Sequence, residues 1–305
     1  MANTTNIGDI SVWAIQFIHP GQEHVIGKRQ VTSAAYIYDW NSCKNQHKRK
    51  FMKVCGQFLD SNNELQKDLI YFWGEWEPWS KISLLSPKIS QGDYPHCVHE
   101  PIYFAKSTPP SYCHKRGTNT DPFVFGDNFF YSLCQQCRKT GPTKLNRLSS
   151  GSIILFGSCI NPRTPNAYFA LDTVFVVGEQ MRYTAKAILK SPDPFFPAHY
   201  NDIMGFRYWK DKTQNLMAYK GASYTAQYEG MYSFVPCKVG KDDMNGFERA
   251  KLTNADLMLI SNNLSQGFKA QKSTISNNID LWKTIRDIIR RQGFYEGVRM
   301  DYVII

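Results

Sequence analysis

Apolar residues recur along the chain with a period near two over most of its length and with a helical period near its end. Residues 11–18, SVWAIQFI, alternate loosely and are rich in β-branched and aromatic side chains, which predicts a strand. Residues 148–158 read as a small-residue turn followed by a buried strand, IILFGS, and residues 168–177, YFALDTVFVV, as a second. A Pro/Asn-rich connection at 161–166 separates them. Residues 69–79 predict another strand that ends at Pro78, and residues 217–224 and 231–235 a further strand pair. The period changes in IDLWKTIRDIIRR, residues 279–291. Leu281, Ile285, Ile288 and Ile289 share one helical face, while Lys283, Arg286, Arg290 and Arg291 fall largely elsewhere. Gly293 predicts the end of that helix, and residues 297–304 the last strand.

Between these blocks the pattern breaks. Residues 86–119 are dense in Pro, Gly, His and Ser and predict a long functional loop. A helix is predicted from Asp121-Pro122 to about Arg138, stopping before Gly141-Pro142. Thr120 or Asp121 would cap it, Pro122 suits its first turn, and Phe123, Phe125, Phe129, Phe130 and Leu133 give it an apolar side. The expected architecture is a single α+β domain over residues 1–305. Its β-barrel core would lie mainly in 10–80 and 148–240, a helical and loop insertion at about 86–147, and a C-terminal helix and strand at about 279–305.

Composition narrows the class. At 305 residues and 42% hydrophobic, the chain can bury a sizeable core and is not a disordered polymer. No apolar run approaches the roughly 20 residues that span a bilayer. The first residues, MANTTNIGDISVWAIQFIHP, lack a basic stretch followed by an apolar one, so a cytoplasmic setting with no membrane partner is expected. Eight cysteines in that setting predict reduced thiols or metal ligands. The net charge of +10 biases the protein toward polyanions, and nucleic acid or a nucleotide is the expected partner.

Residues 71–80, YFWGEWEPWS, hold three of the seven tryptophans, Trp73, Trp76 and Trp79, with Glu75 and Glu77 between them. This spacing does not line one face of a regular strand. Gly74 and Pro78 imply a bend that can turn the indoles toward a common cavity, where a base would stack and a carboxylate accept from its exocyclic amine. The competing reading is an aromatic mini-core with two solvated glutamates. Lys48, Arg49 and Lys50, in the basic run at 44–53, are candidate phosphate contacts. Asn119 and Thr120 either cap a helix or touch a phosphate at its start.

Other chemistry is sparser. Cys97, Cys113, Cys134 and Cys137, with His96, His99 and His114 nearby, are candidate zinc ligands or buried free thiols; Cys134 and Cys137 have the gap of a zinc knuckle. The expectation is no cofactor, with zinc as the alternative. His199, Asp202 and Asp121 are candidate acid–base groups, joined by Glu77. No phosphate-binding Walker loop, dinucleotide fingerprint, nucleophile elbow or His-Glu-x-x-His is present.

The turn, IILFGS, connection and YFALDTVFVV resemble the barrel core of the PUA-like superfamily, which includes the ASCH, EVE, YTH and SRA domains. SVWAIQFI is similar to the first strand of such a barrel. Gly151-Ser152 stands where Gly-Asp is common. The larger chain is similar to proteins grouped as nucleotide-modification-associated or phage-defence-linked. The resemblance implies a nucleic-acid-binding barrel that grips a modified or flipped base in an aromatic cage, with a role in antiviral defence. Tyr219-Lys220-Gly221-Ala222-Ser223-Tyr224 and Tyr232-Ser233-Phe234 resemble the NAD-binding strands of ADP-ribosyltransferases, with Lys220 in place of Arg. The leading expectation is a reader of a modified or flipped base. The alternatives are an enzyme acting on nucleic acid or a nucleotide, whether nuclease, base-modifying enzyme or ADP-ribosyltransferase, and an interaction protein docking through its aromatic loop.

Overall fold

Strand-forming runs dominate the computed structural model, which describes residues 11–24, 36–37, 48–85, 95–105, 119–127, 129–240, 246–253 and 266–305. The strands are β1 (Trp13–His19), β2 (Tyr36–Ile37), β3 (Lys50–Leu59), β4 (Leu65–Gly74), β5 (Ser80–Leu84), β6 (Cys97–Tyr103), β7 (Phe130–Tyr131), β8 (Cys137–Arg138) and β9 (Gly141–Pro142). They continue with β10 (Ile153–Ile160), β11 (Tyr168–Tyr183), β12 (Leu216–Gly221), β13 (Val235–Val239), β14 (Ala250–Leu252), β15 (Gly267–Lys272), β16 (Tyr295–Met300) and β17 (Val303–Ile304). The helices are α1 (Ala185–Lys190), α2 (Tyr200–Ile203) and α3 (Ile275–Arg291). Strands take 46% of the residues and helices 14%, so the protein is mostly β, with few helices.

One sheet runs β15-β1-β10-β11-β12-β7, with β14 added to β11. Its centre is the parallel pair β1–β10 and the antiparallel pair β10–β11. The apolar run of β10 has no polar face because both of its faces are covered. Ile154 and Phe156 enter one cluster with Phe17, Phe130, Tyr131, Phe175 and Tyr219. Ile153 and Leu155 enter the other with Phe51, Trp73, Phe169, Val174 and Phe234.

The second sheet runs β16-β13-β4-β3-β6-β5-β2, and β16 also pairs with β3. That extra pairing closes β3, β4, β13 and β16 into a four-strand barrel. Closure brings backbones into close approach at Gly56, where an added Cβ would stand 2.5 Å from the Arg299 carbonyl oxygen, so only glycine fits. Val174 and Phe234 exchange two backbone hydrogen bonds of 2.9 Å and join the two sheets. The amphipathic helix α3 lays Trp282, Ile285, Ile288 and Ile289 on the second cluster, and the Thr274 hydroxyl accepts from the Asn277 amide at its start.

Three expectations are corrected. Residues 121–138 do not form a helix. Phe123 and Phe130 instead exchange backbone hydrogen bonds of 2.7 and 2.6 Å, and β7 joins the sheet beside β12. Phenylalanines and Gly126 are weak helix formers, and here their rings are worth more as a packed cluster than as one face of a helix. The region expected to be loop contains β6, held between β5 and β3. Of residues 231–235, expected as the partner strand of 217–224, only Val235 enters a strand, β13 of the other sheet, although the Ser233 amide does donate to the Ala222 carbonyl at 2.8 Å.

Candidate functional site

β3 and β4 deliver charged residues to the space between the sheets. Arg49 precedes β3 and is fixed by backbone bonds: His24 donates to its carbonyl at 2.8 Å, and its amide donates to Gln22 at 2.9 Å. Beyond Gly74 the chain turns inward, and both Glu75 and Glu77 are buried. Arg49 Nη2 donates to Glu75 Oε2 at 2.9 Å, and Nη1 lies 3.7 Å from Asp172 Oδ2. Arg249 Nη1 approaches Asp172 from the other side at 3.6 Å, with its guanidinium over the Trp73 ring. His19 Nε2 stands 3.8 Å from Glu75 Oε2. Such burial of charge is tolerable only because the charges alternate in sign.

Protonation within the group is uneven. Burial, then the adjacent Glu75, pushes the Glu77 pKa well up, which favours its neutral form. The Asn119 amide donates to Glu77 Oε2, the Glu77 amide donates to Thr120 Oγ1 at 3.0 Å, and Glu77 Oε1 has no hydrogen-bond partner among the described residues. Burial, then Lys50 and Lys48, lowers His24 to about 3, and burial with His24 and Lys50 takes His99 well below the usual range. The two neutral rings lie 5.1 Å apart, and among the described residues none of their nitrogens has a partner in normal hydrogen-bond geometry. Burial also opposes the Arg49 charge, but Glu75 and Asp172 outweigh it and raise its pKa.

Asp121 lies at the end of this group. Its Oδ1 accepts from the Ser132 amide, and its Oδ2 from the amides of Leu133 and Cys134, at 2.7 to 3.0 Å. These bonds favour the carboxylate, but burial is the larger effect and lifts the pKa from 3.8 to about 7. The folded state therefore holds a proton that the unfolded chain has released between about pH 4 and pH 7. Stability falls as pH rises through that window, with a contribution of up to ~1.4 kcal/mol per pH unit. Asp121→Asn should remove that part of the slope in urea unfolding followed from pH 4 to pH 8; an unchanged slope would refute the assignment.

The predicted site residues divide sharply. Trp76 is fully buried, and Trp73 and Trp79 are 4% and 5% exposed. They enter three separate clusters: Trp76 faces Phe125 and Tyr302, Trp73 faces Phe51, and Trp79 faces Phe104. No common cage forms, because successive three-residue steps carry the indoles to different layers. Glu75 and Glu77 are not solvated as the mini-core reading had them, but buried in the ionic group. Arg49 and Lys50, expected at phosphates, are also buried, and only Lys48 is half-buried. Asn119 and Thr120 serve Glu77 rather than a helix.

Among the described residues no three His, Cys, Asp or Glu side chains are placed to hold a metal. Cys97 is buried in β6, while Cys134 accepts from Asn119 Nδ2 at 2.8 Å and has its thiol pushed well up by burial and Asp121. Cys137 is half-buried in β8; Cys113 and His114 lie outside the described residues. His199 and Asp202 sit apart at the surface, where Asp202 pairs with Arg207 at 2.7 Å. Sequence reasoning missed His19, His24, Asp172 and Arg249, and gave His99 no role beyond zinc. Asp172 carried a readable signal, a carboxylate amid the apolar run YFALDTVFVV.

A different surface gathers exposed cations. The Arg138 guanidinium lies 5.3 Å from the Phe268 ring centre, and Lys144 Nζ lies 4.8 Å from that of Trp13. Trp13 pairs across β1 and β15 with Lys272. Lys139 and Arg147 in the same segment are also exposed, and residues 137–147 and 266–274 contain no Asp or Glu. Comparison with protein-family models, with curated proteins and with solved structures finds no match to this chain.

Proposed function

We propose that the protein binds nucleic acid, and that the face carrying Arg138, Lys144 and Lys272 is where the phosphate backbone lies. The observation that carries this reading is the pairing of exposed cations with two half-buried aromatic rings, Trp13 and Phe268, in segments free of carboxylates. Cations over rings offer phosphate contacts next to stacking platforms, the combination used for single-stranded chains. The net charge of +10 acts in the same direction. The closed four-strand barrel is consistent with a β-barrel core, while β1, β10 and β11, which carry the PUA-like resemblance, lie in the other sheet. No helix among the described residues is long and apolar enough to cross a membrane.

The test is fluorescence anisotropy with single-stranded and duplex DNA and RNA over a range of salt. Binding should weaken steeply as salt rises, because each phosphate contact releases counterions. Replacing Arg138, Lys144 and Lys272 together by Gln should lower the slope of log K against log salt by about 2–3, near one for each lost contact. Absence of binding at about 50 mM salt, where even non-specific contacts register, would reject the proposal. An unchanged slope in the triple variant would reject the face.

The ionic group between the sheets favours a second reading, an enzyme acting on nucleic acid or a nucleotide. Glu77, its pKa pushed well up, lies beside Glu75, which accepts from Arg49, and two neighbouring carboxyl groups in unlike environments are an arrangement that suits acid–base work. Turnover of DNA, RNA, NAD or nucleotides that disappears in Glu77→Gln, with the fold retained, would establish it; no product from any of them would remove it.

A further inference from the structure

The Pro/Phe-rich turn at 192–197 meets the segment around Phe125 at a surface cleft. Asp193 Oδ1 accepts from the Phe195 amide at 2.8 Å and fixes the turn. Phe123, Phe125, Phe130, Phe195 and Tyr302 line the cleft, with Lys220 as the one cation among the lining residues. Phe125 and Tyr302 meet edge-to-face at 5.7 Å, and Phe130 and Phe195 at 5.6 Å. Trp76 backs the wall, 4.8 Å from Phe125 and 5.3 Å from Tyr302. A wall braced by other rings needs little ordering when a ligand arrives.

Size and charge define what fits. The cleft holds about 260 Å³. At ~30 Å³ per water this is the space of about nine waters, enough for the ring of a ligand, with the rest of a larger one at the open rim. The charged lining residues are unequal. Asp127 is already paired with Arg299 at 2.7 Å. Lys220 Nζ is held only at 3.7 Å by Glu179, whose side chain is 65% exposed, so a ligand anion can replace that partner at little cost.

We propose that this cleft binds one planar aromatic ring bearing an anionic group, with the ring between Phe195 and Tyr302 and the anion on Lys220. Nucleoside monophosphates and aromatic carboxylates share that chemistry. The cleft and the basic face share no residue: the cleft is lined from 123–130, 194–198, Lys220 and Tyr302, whereas the face is built from Trp13, Arg138, Lys144, Phe268 and Lys272.

The test is calorimetric titration of the full chain with the four common nucleoside monophosphates, the matching nucleosides, ribose 5-phosphate and indole-3-carboxylate. Ring-bearing anions should bind, and the nucleosides and ribose 5-phosphate should bind more weakly. The stronger of the two anion types identifies the source. Phe195→Ala should weaken binding roughly five- to a hundredfold, the effect of one lost stack. Lys220→Gln should weaken it and flatten its salt dependence. Phe195→Leu provides the same test if the alanine variant melts early. Three results would each overturn the site: no ring-bearing anion binding to low millimolar concentration, ribose 5-phosphate binding as tightly as the nucleotides, or both variants binding like the wild type. The triple variant of the basic face should bind these ligands normally, so that failure of one site is distinguishable from failure of the other.

Discussion

Arg49→Ala should destabilise the protein by about 3–5 kcal/mol, the usual result of breaking a buried ion pair from one side. Arg49 is almost fully buried and neutralises two carboxylates, Glu75 at 2.9 Å and Asp172 at 3.7 Å. Alanine would remove the guanidinium at 2.9 Å from Glu75 in a low-dielectric interior, where the His19 imidazole stands 3.8 Å away. Asp172 would retain Arg249 at 3.6 Å. The loss is large against a total stability of about 5–15 kcal/mol, and urea unfolding would show it as a shifted midpoint. Two controls separate charge from packing. Arg49→Met combined with Glu75→Leu removes both partners and should cost less than Arg49→Ala alone. An orphaned buried carboxylate relieves its cost by taking a proton, so the deficit of Arg49→Ala should shrink as pH falls. A loss under about 1 kcal/mol, the scale of an exposed pair, would show that the ionic group is not the buried network described.

The fold was legible where the apolar pattern and burial agreed. β10 and β11 are long apolar runs because both faces of the sheet are covered, and α3 has the helical stripe of an element with one face covered. Legibility failed at residues 121–138. Phe123, Phe125, Phe129 and Phe130 fall at spacings that serve a helix as well as a cluster of rings, and only tertiary partners such as Tyr200 and Tyr302 decide between them. Asp121 shows the same ambiguity. Its carboxylate does accept backbone N–H groups, but those of residues 132–134, eleven to thirteen positions away, rather than those of its own first turn. Barrel closure was not readable at all, since it depends on β16 reaching β3 from the far end of the chain.

The polar interior was half legible. Glu75 and Glu77 stood out because carboxylates among indoles are unusual, and both belong to the buried group. Arg49 looked like one cation in a solvated run, because composition does not reveal that β3 starts at Lys50 and draws Arg49 and Lys50 inward while Lys48 stays half-buried. His24 and His99 are 75 positions apart and meet only because residues 22–24 pair beside Arg49 and β6 packs along β3. The exposed basic face was hidden for a similar reason. Trp13, Arg138, Lys144, Phe268 and Lys272 come from four separate segments, and each alone is an ordinary surface residue.

Trp76→Ala should cost about 3–5 kcal/mol, the range for a large aromatic deleted from a packed core. The indole is fully buried, its Nε1 donates to the Trp79 carbonyl at 2.6 Å, and its ring faces Phe125 and Tyr302. Trp76→Phe separates packing from hydrogen bonding. The Trp79 carbonyl also accepts from the Ile102 amide at 2.9 Å, so losing the indole donor does not orphan it, and the phenylalanine variant should lose only about 1–2 kcal/mol. Because Phe125 and Tyr302 line the aromatic cleft, the alanine variant should also bind ring-bearing anions more weakly, as the wall relaxes into the space behind it. The order of effects is the decisive observation. An indole that stacked directly on a ligand would lose binding while the melting temperature held. An indole buried one layer behind the wall must lose stability first, and an unchanged melting temperature in Trp76→Ala would show that it is not part of the core.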